Sequence, residues 1–298
     1  MLKRWQADFV LLIITLLWGS TFVMVKEATS AYPIFSFLAL RFGLALAALL
    51  TAFIRPAERA RLRLGREALL AGAVTGLLLF AGYALQTWGL HYTSSGRAGF
   101  ITGLNVVIVP ALGVLFLRAR PTMANLFGMV IAMIGLTALF WHPEPGVVQG
   151  DALVLGCAFA FAGHVIAIAY FGRRVPALVL ATLQVGVVFV LCSVAALAFE
   201  PALSRPPTGM VWSAAAFTGV VVTAGVLVAQ TSAQRVTTPA HTAVIFAMEP
   251  VFAALFGWLL AGEHLGVRAG LACAVMLFGL VASETGSLAP AKLRTGER

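Results

Sequence analysis

The sequence predicts an all-α integral membrane protein, with ten transmembrane helices arranged as two inverted five-helix repeats. Three observations carry this. Of 298 residues, 61% are hydrophobic and 10% charged, and mean hydropathy is +0.98, which describes a chain mostly in lipid rather than one or two soluble domains. The apolar residues fall into ten runs, each able to cross a hydrocarbon core of ~30 Å at 1.5 Å per helical residue. The rare polar residues of the first half also recur in the second.

In chain order the runs cover roughly 8–26, 33–54, 68–91, 96–117, 122–141, 151–171, 177–199, 210–233, 240–261 and 266–284. Turn signals separate several of them: Tyr32-Pro33, Arg120-Pro121, His142-Pro143 through Gly150, Val175-Pro176 and Glu200 through Gly209. The first run follows MLKRWQAD and reaches Val25. At about 17 residues it exceeds the apolar region of a cleaved signal peptide, so it reads as an uncleaved first helix. The ninth run, Ala240 to Gly262, is the unusual one, because Glu249-Pro250 interrupts its middle. A carboxylate at that depth costs roughly 2.5–3.5 kcal/mol, and proline leaves a backbone carbonyl without its donor. A helix with both features is expected to face a cavity or the inside of a bundle. The expected units are 1–145, 146–285 and a short cytoplasmic tail, 286–298.

A net charge of +9 suggests nucleic acid at first sight, but the basic residues sit in short loops between apolar runs. One side holds Lys3, Arg4, the five arginines from Arg55 to Arg66, Arg118, Arg120, Arg173, Arg174, Arg235 and three tail residues, 15 in all. The other holds Lys26, Arg97, Arg205 and Arg268, which is 4. This bias places both termini in the cytoplasm and the chain in the cell inner membrane. Cys157, Cys192 and Cys273 lie in apolar segments without metal or disulfide spacing and read as small core residues.

A shift of 144 residues lays runs three to five over runs eight to ten. Gln86-Thr87 then falls on Gln230-Thr231, Thr93 on Thr237, Asn105 on Glu249 and Gly135-Leu136 on Gly279-Leu280. A shift of 143 pairs Trp18 with Phe161 and Arg41 with Gln184. Each half has five runs, an odd number, so the second half must be inserted upside down relative to the first.

Depth selects the candidate residues. Asn105 and Glu249 fall at the midplane, with His164 in the middle of the sixth run. Trp18 and Ser20 make the first run's middle aromatic and polar; Tyr83, Gln86 and Trp88 lie in the third run and Gln230 in the eighth. These are the expected substrate-binding residues, with Arg41 and Pro250 in structural or coupling roles. Each has a plainer alternative. Glu249 or Arg41 could be an inter-helix staple, His164 a satisfied core histidine, Tyr83 and Trp88 packing aromatics, and the glutamines cross-helix hydrogen-bonders. Gly72-xxx-Gly76, Gly99-xxx-Gly103 and Gly266-xxx-Gly270 are expected to let helices approach closely. The sequence has no DDxxD pair, HExxH or glycine-rich phosphate loop, so no enzyme activity, metal or cofactor is expected.

The chain resembles the EamA family of the drug/metabolite transporter superfamily over nearly all of residues 8–284. The resemblance rests on Leu17-Trp18-Gly19-Ser20-Thr21-Phe22 with Lys26, Leu40-Arg41-Phe42, and Gln86-Thr87-Trp88-Gly89-Leu90 followed by Tyr92-Thr93-Ser94. It rests also on Glu249-Pro250-Val251-Phe252-Ala253-Ala254-Leu255 and on Gly262-Glu263. Arg118-Ala119-Arg120-Pro121 departs from it, with Ala where many relatives carry Glu. The resemblance implies a ten-helix inverted-repeat fold with a central cavity that exports small metabolites, often amino acids, with aromatic amino acid exporters the nearest pattern. The first-helix acidic residue of small multidrug relatives is missing, which argues against drug–proton antiport of that kind.

The expected function is export of small metabolites, amino acids including aromatic ones, by alternating access around a midplane site. The alternatives are another substrate class in the same fold, or an intramembrane enzyme or sensor. The expected partners are a small-molecule substrate and the lipid bilayer, with no nucleic acid and a monomer as the unit.

Overall fold

The computed structural model describes residues 2–59, 64–93, 95–140, 148–200, 206–261 and 266–285, and every regular element among them is helical. The first half holds α1 (Arg4–Ala31), α2 (Ile34–Ala52), the short α3 (Pro56–Arg59), α4 (Arg66–Gly89), α5 (Ser95–Gly103), α6 (Asn105–Leu117) and α7 (Met123–Phe140). The second half holds α8 (Val148–Phe171), α9 (Ala177–Phe199), α10 (Gly209–Ala216), a π-helical stretch (Phe217–Gly225), α11 (Val226–Ala233), α12 (Pro239–Phe246), α13 (Glu249–Ala261) and α14 (Val267–Thr285). Seven stretches among the described residues are long and apolar enough to cross a membrane. They are α1, α2, α4, α5–α6 together, α8, α9 and the run from α10 to α11; α7 and α14 are shorter apolar helices. The Gly262-Glu263 pair, most of the 142–150 turn and the tail from Gly286 lie outside the described residues.

Local chemistry sets the ends. Pro33 and Pro176 stand in extended conformation just before α2 and α9, where a fixed φ suits helix entry. Thr208 and Thr238 cap α10 and α12 by accepting hydrogen bonds from Val211 N (3.4 Å) and His241 N (3.2 Å). Glu200, at the end of α9, accepts from the backbone N–H groups of Phe35 (2.6 Å) and Ser36 (2.9 Å) in the first turn of α2. Arg235 donates to the carbonyls of Gly172 (2.5 Å) and Val175 (2.7 Å), closing the open end of α8.

Element boundaries repeat with the register of the sequence. α5 and α12 begin at 95 and 239, α6 and α13 span 105–117 and 249–261, and α7 and α14 begin at 123 and 267, each offset by 144. The fourth and ninth runs are both broken at mid-length, at Leu104 and at Ala247-Met248, immediately before Asn105 and Glu249. The break therefore precedes Pro250, which sits in the first turn of α13, where a missing N–H costs little.

Glycines fix how the helices cross. A Cβ on Gly72 would collide with Leu183 and one on Gly76 would lie 2.6 Å from Val187 Cβ, so α4 and α9 run parallel in close contact. α7 and α14 cross antiparallel through Gly128, whose added Cβ would lie 2.5 Å from Gly279 O, and Gly135, whose Cβ would lie 2.9 Å from Ala272 O. The expectation for Gly266-xxx-Gly270 is corrected: among the described residues nothing lies within 4 Å of a Cβ at either position, and the close approach on α14 runs from Ala272 through Met276 to Gly279.

Candidate functional site: a central polar cavity

A cavity lies where the broken helices meet the rest of the bundle, with about 90 Å³ in which the centre of a water molecule can sit. At ~10–15 Å³ per water this holds several waters, the scale of a small metabolite's polar head. Both halves line it: α1, α2, α4, α5 and α6 from the first, and α8, the π stretch, α11, α12 and α13 from the second.

Helical periodicity decides which side chains reach it. From α1 come Trp18, Thr21 and Val25, spaced three and four apart. Ser20 is rotated off that face, and its hydroxyl donates to Leu17 O at 2.7 Å. From α4 come Leu79, Tyr83, Gln86 and Thr87. Trp88, one position further, is turned outward and 46% exposed. Ser20 and Trp88 are therefore corrected as lining residues. The structure brings Trp18, Arg41, Tyr83, Gln86, Asn105, His164, Gln230, Glu249 and Pro250 together on one cavity.

Arg41 is almost wholly buried, yet among the described residues no carboxylate holds it. Its Nε donates to Thr223 Oγ1 at 3.0 Å and its Nη2 to Tyr83 Oη at 3.1 Å, and its guanidinium carbon lies 4.6 Å from the Tyr83 ring centre. Thr223 belongs to the π stretch, where its hydroxyl also donates to Thr218 O at 2.8 Å, five residues back. A Cβ at Gly219 would collide with Arg41 O, so α2 and the π stretch touch at the level of the arginine. Among the described residues no ion pair reaches Arg41 or Glu249, which excludes the Arg41–Glu249 staple.

The neutral polar residues divide by partner. His164 Nε2 lies 2.7 Å from Gln184 Oε1, so this histidine is held by the glutamine that pairs with Arg41 in the repeat. Gln86 Nε2 donates to Thr102 Oγ1 at 3.4 Å. By contrast, Trp18 Nε1, Asn105 Oδ1 and Gln230 Oε1 are buried without a hydrogen-bond partner among the described residues. Such groups normally find one, so the cavity presents unmet donors and acceptors. Two edge-to-face aromatic pairs frame it, Trp18–Phe246 with ring centres 4.9 Å apart and Tyr83–Phe161 at 5.3 Å.

Sequence reasoning missed Thr102, Phe161 and Phe246 as lining residues. A signal was present for Phe161, which stands three residues before His164 on the unbroken α8 and so shares its helix face; Thr102 and Phe246 are separated from Asn105 and Glu249 by the helix breaks. Among the described residues no three His, Cys, Asp or Glu side chains converge to hold a metal ion.

The sequence profile of the EamA-like transporter family matches the chain twice, at residues 5–141 and 148–284. An uncharacterised transporter of Archaeoglobus fulgidus is 30% identical over 263 residues, covering 88% of this chain and 80% of its own. A second, the uncharacterised transporter YyaM of Bacillus subtilis, is 27% identical over 177 residues, 58% of this chain and 57% of its own. A crystal structure with 20% identity superposes at a TM-score of 0.81 over 99% of this chain and all of that one, which supports the fold alone. Two profile matches that together take in nearly every described helix, and a relative aligned over most of its length, place this multi-pass membrane chain in the EamA-like transporter family.

Proposed function

We propose that the protein is a secondary transporter that exports small metabolites, amino acids including aromatic ones, across the cell inner membrane by alternating access. Two inverted five-helix halves, 1–145 and 146–285, rock around the central cavity. The observation that carries this reading is the cavity itself, lined by both halves at the breaks before Asn105 and Glu249, with buried polar atoms left unpartnered. The α7–α14 crossing supports inversion. Gly128 meets Gly279 and Gly135 meets Ala272, and under the offset of 144 each pair maps onto the other. A reciprocal, antiparallel contact of this kind is what a two-fold axis perpendicular to the helices produces, as in an inverted repeat.

Amides and aromatics suit a substrate with a polar head and an apolar body. Purified protein in liposomes should exchange labelled phenylalanine or tryptophan without chemical change, and expression should raise tolerance to toxic aromatic analogues. Folded protein that does neither would remove this substrate class. The 15-to-4 charge bias puts both termini in the cytoplasm. On a background without native cysteines, Ala57→Cys and Ser30→Cys should therefore label from opposite faces of the membrane. Labelling of both from outside intact cells would overturn the orientation.

A further inference from the structure

We infer that the two helix breaks form one binding site for a sodium ion, whose oxygen ligands are the Glu249 carboxylate, Asn105 Oδ1 and the freed carbonyls of Gly103, Phe246 and Ala247. Occupancy of this site couples transport to a sodium gradient. The coupling rests on the transporter reading above, whereas the binding of the ion does not.

A helix that stops and restarts leaves carbonyls without donors. Val107 N, the usual donor to Gly103 O, bonds instead to Leu104 O at 2.9 Å. Pro250 has no N–H to give to Phe246 O. Among the described residues Ala247 O accepts no backbone N–H either. Gly103, Phe246 and Ala247 all line the cavity, and a glycine can do so only with its backbone. These carbonyls stand at the C-terminal ends of α5 and α12, where the helix dipole favours a cation.

Two side chains add acceptors at the same level. Among the described residues Asn105 Oδ1 is buried without a partner, and the Glu249 carboxylate makes neither a hydrogen bond nor an ion pair. The two breaks also adjoin. α5 packs against α13 and α12 against α6, and Val106 and Ala247, one beside each break, share a buried cluster. Gly103 and Asn105 are the mates of Ala247 and Glu249 under the offset of 144, so an ion between the breaks meets corresponding ligands from both halves.

A set made only of oxygens suits a hard cation, which needs no cluster of His or Cys. Charge selects a monovalent one. The set holds a single carboxylate, and Arg41, engaged by Thr223 and Tyr83, already places a positive charge on the cavity wall. One sodium ion neutralises Glu249, while a divalent ion would leave a further charge uncompensated in low dielectric. Freed carbonyls and helix C-terminal ends at broken helices are also the means by which secondary transporters hold coupling ions.

The test melts the purified full-length protein at pH 8.5, without substrate, in sodium chloride replaced stepwise by choline chloride at constant ionic strength. Sodium should raise the melting temperature saturably, since at one hundred times its Kd a bound ion favours the native state about 100-fold. Glu249→Gln should melt like wild type in choline and lose the sodium shift. Asn105→Ala should weaken the apparent sodium affinity about tenfold. The wild-type titration decides by itself if either variant fails to fold. No sodium shift in wild type, an equal shift in Glu249→Gln, or a larger shift from calcium at equal concentration would each overturn the site. In liposomes, replacing sodium by choline on one side should change the flux of labelled phenylalanine. A sodium shift with flux indifferent to sodium would overturn the coupling. Folded protein that shows the shift yet moves no labelled amino acid would remove the export reading and the coupling, and keep the site.

Discussion

Arg41 and Glu249 face one cavity without a bond between them, and this decides what removing the carboxylate should do. A Glu that stapled a buried arginine would leave it unpaired when lost, at a cost of about 3–5 kcal/mol. Here Thr223, Tyr83 and an aromatic face hold Arg41 instead. Glu249→Gln should therefore keep a melting temperature within a few degrees of wild type. If the carboxylate exchanges a proton during the cycle, the same variant should transport at a rate that no longer varies with pH. Melting in detergent, paired with flux from pH 5.5 to 8.5, checks both. An unstable variant with wild-type pH-dependent flux per folded molecule would defeat the site role. The depth of Glu249 and its pairing with Asn105 were legible in the sequence, because a charge in an apolar run and a fixed register are both visible there. The hold on Arg41 was not. It depends on a hydroxyl 182 residues away and on a π-helical stretch that no local composition signals.

At the scale of elements, spacing carried most of the fold. Apolar run length located the helices, and the breaks in the fourth and ninth runs fall at positions related by the offset of 144, although only Glu249-Pro250 marked one of them in the sequence. What it could not show was rotation. Gly266-xxx-Gly270 and Gly72-xxx-Gly76 are the same pattern in sequence, yet only the second faces a neighbour closely. Which face a helix turns inward is set by partners far along the chain, and an all-round apolar helix carries little amphipathic signal to reveal it. The α7–α14 crossing turns this into a measurement. Gly279→Leu would set a Cβ 2.8 Å from Gly128 O and 2.9 Å from Ala132 N, backbone atoms that only a shift of the helix can move. It should cost about 1–3 kcal/mol by overpacking and lower the melting temperature clearly. Gly270→Leu, in open space on the same helix, should change it little. Equal melting temperatures for the two variants would show that the crossing is looser than described.

At the scale of the molecule, polar contacts between the halves sit at both ends of the bundle. At one end His241 Nε2 lies 3.1 Å from Asp8 Oδ1, joining α12 to α1, and Asn125 Nδ2 donates to Ser283 Oγ at 2.9 Å, joining α7 to α14. At the other, Glu200 holds the start of α2, and Thr93 Oγ1 donates to Asp151 Oδ1 at 3.0 Å. Asp8 and Asp151 are repeat mates under a shift of 143, so each half places an aspartate at the opposite end to the other's. Halves that rock must break the contacts at one end while those at the other hold, because a packed interface moves between discrete arrangements. Pinning one end should therefore stop transport without touching the cavity. Asp8→Cys with His241→Cys, on a background without native cysteines, should exchange substrate when reduced. It should lose most of its flux once a short cleavable bifunctional thiol reagent bridges the pair, and regain it when the bridge is cut. Fully bridged protein that still transports at the reduced rate would mean that this end does not open during the cycle, and the rocking of the two halves would have to be given up.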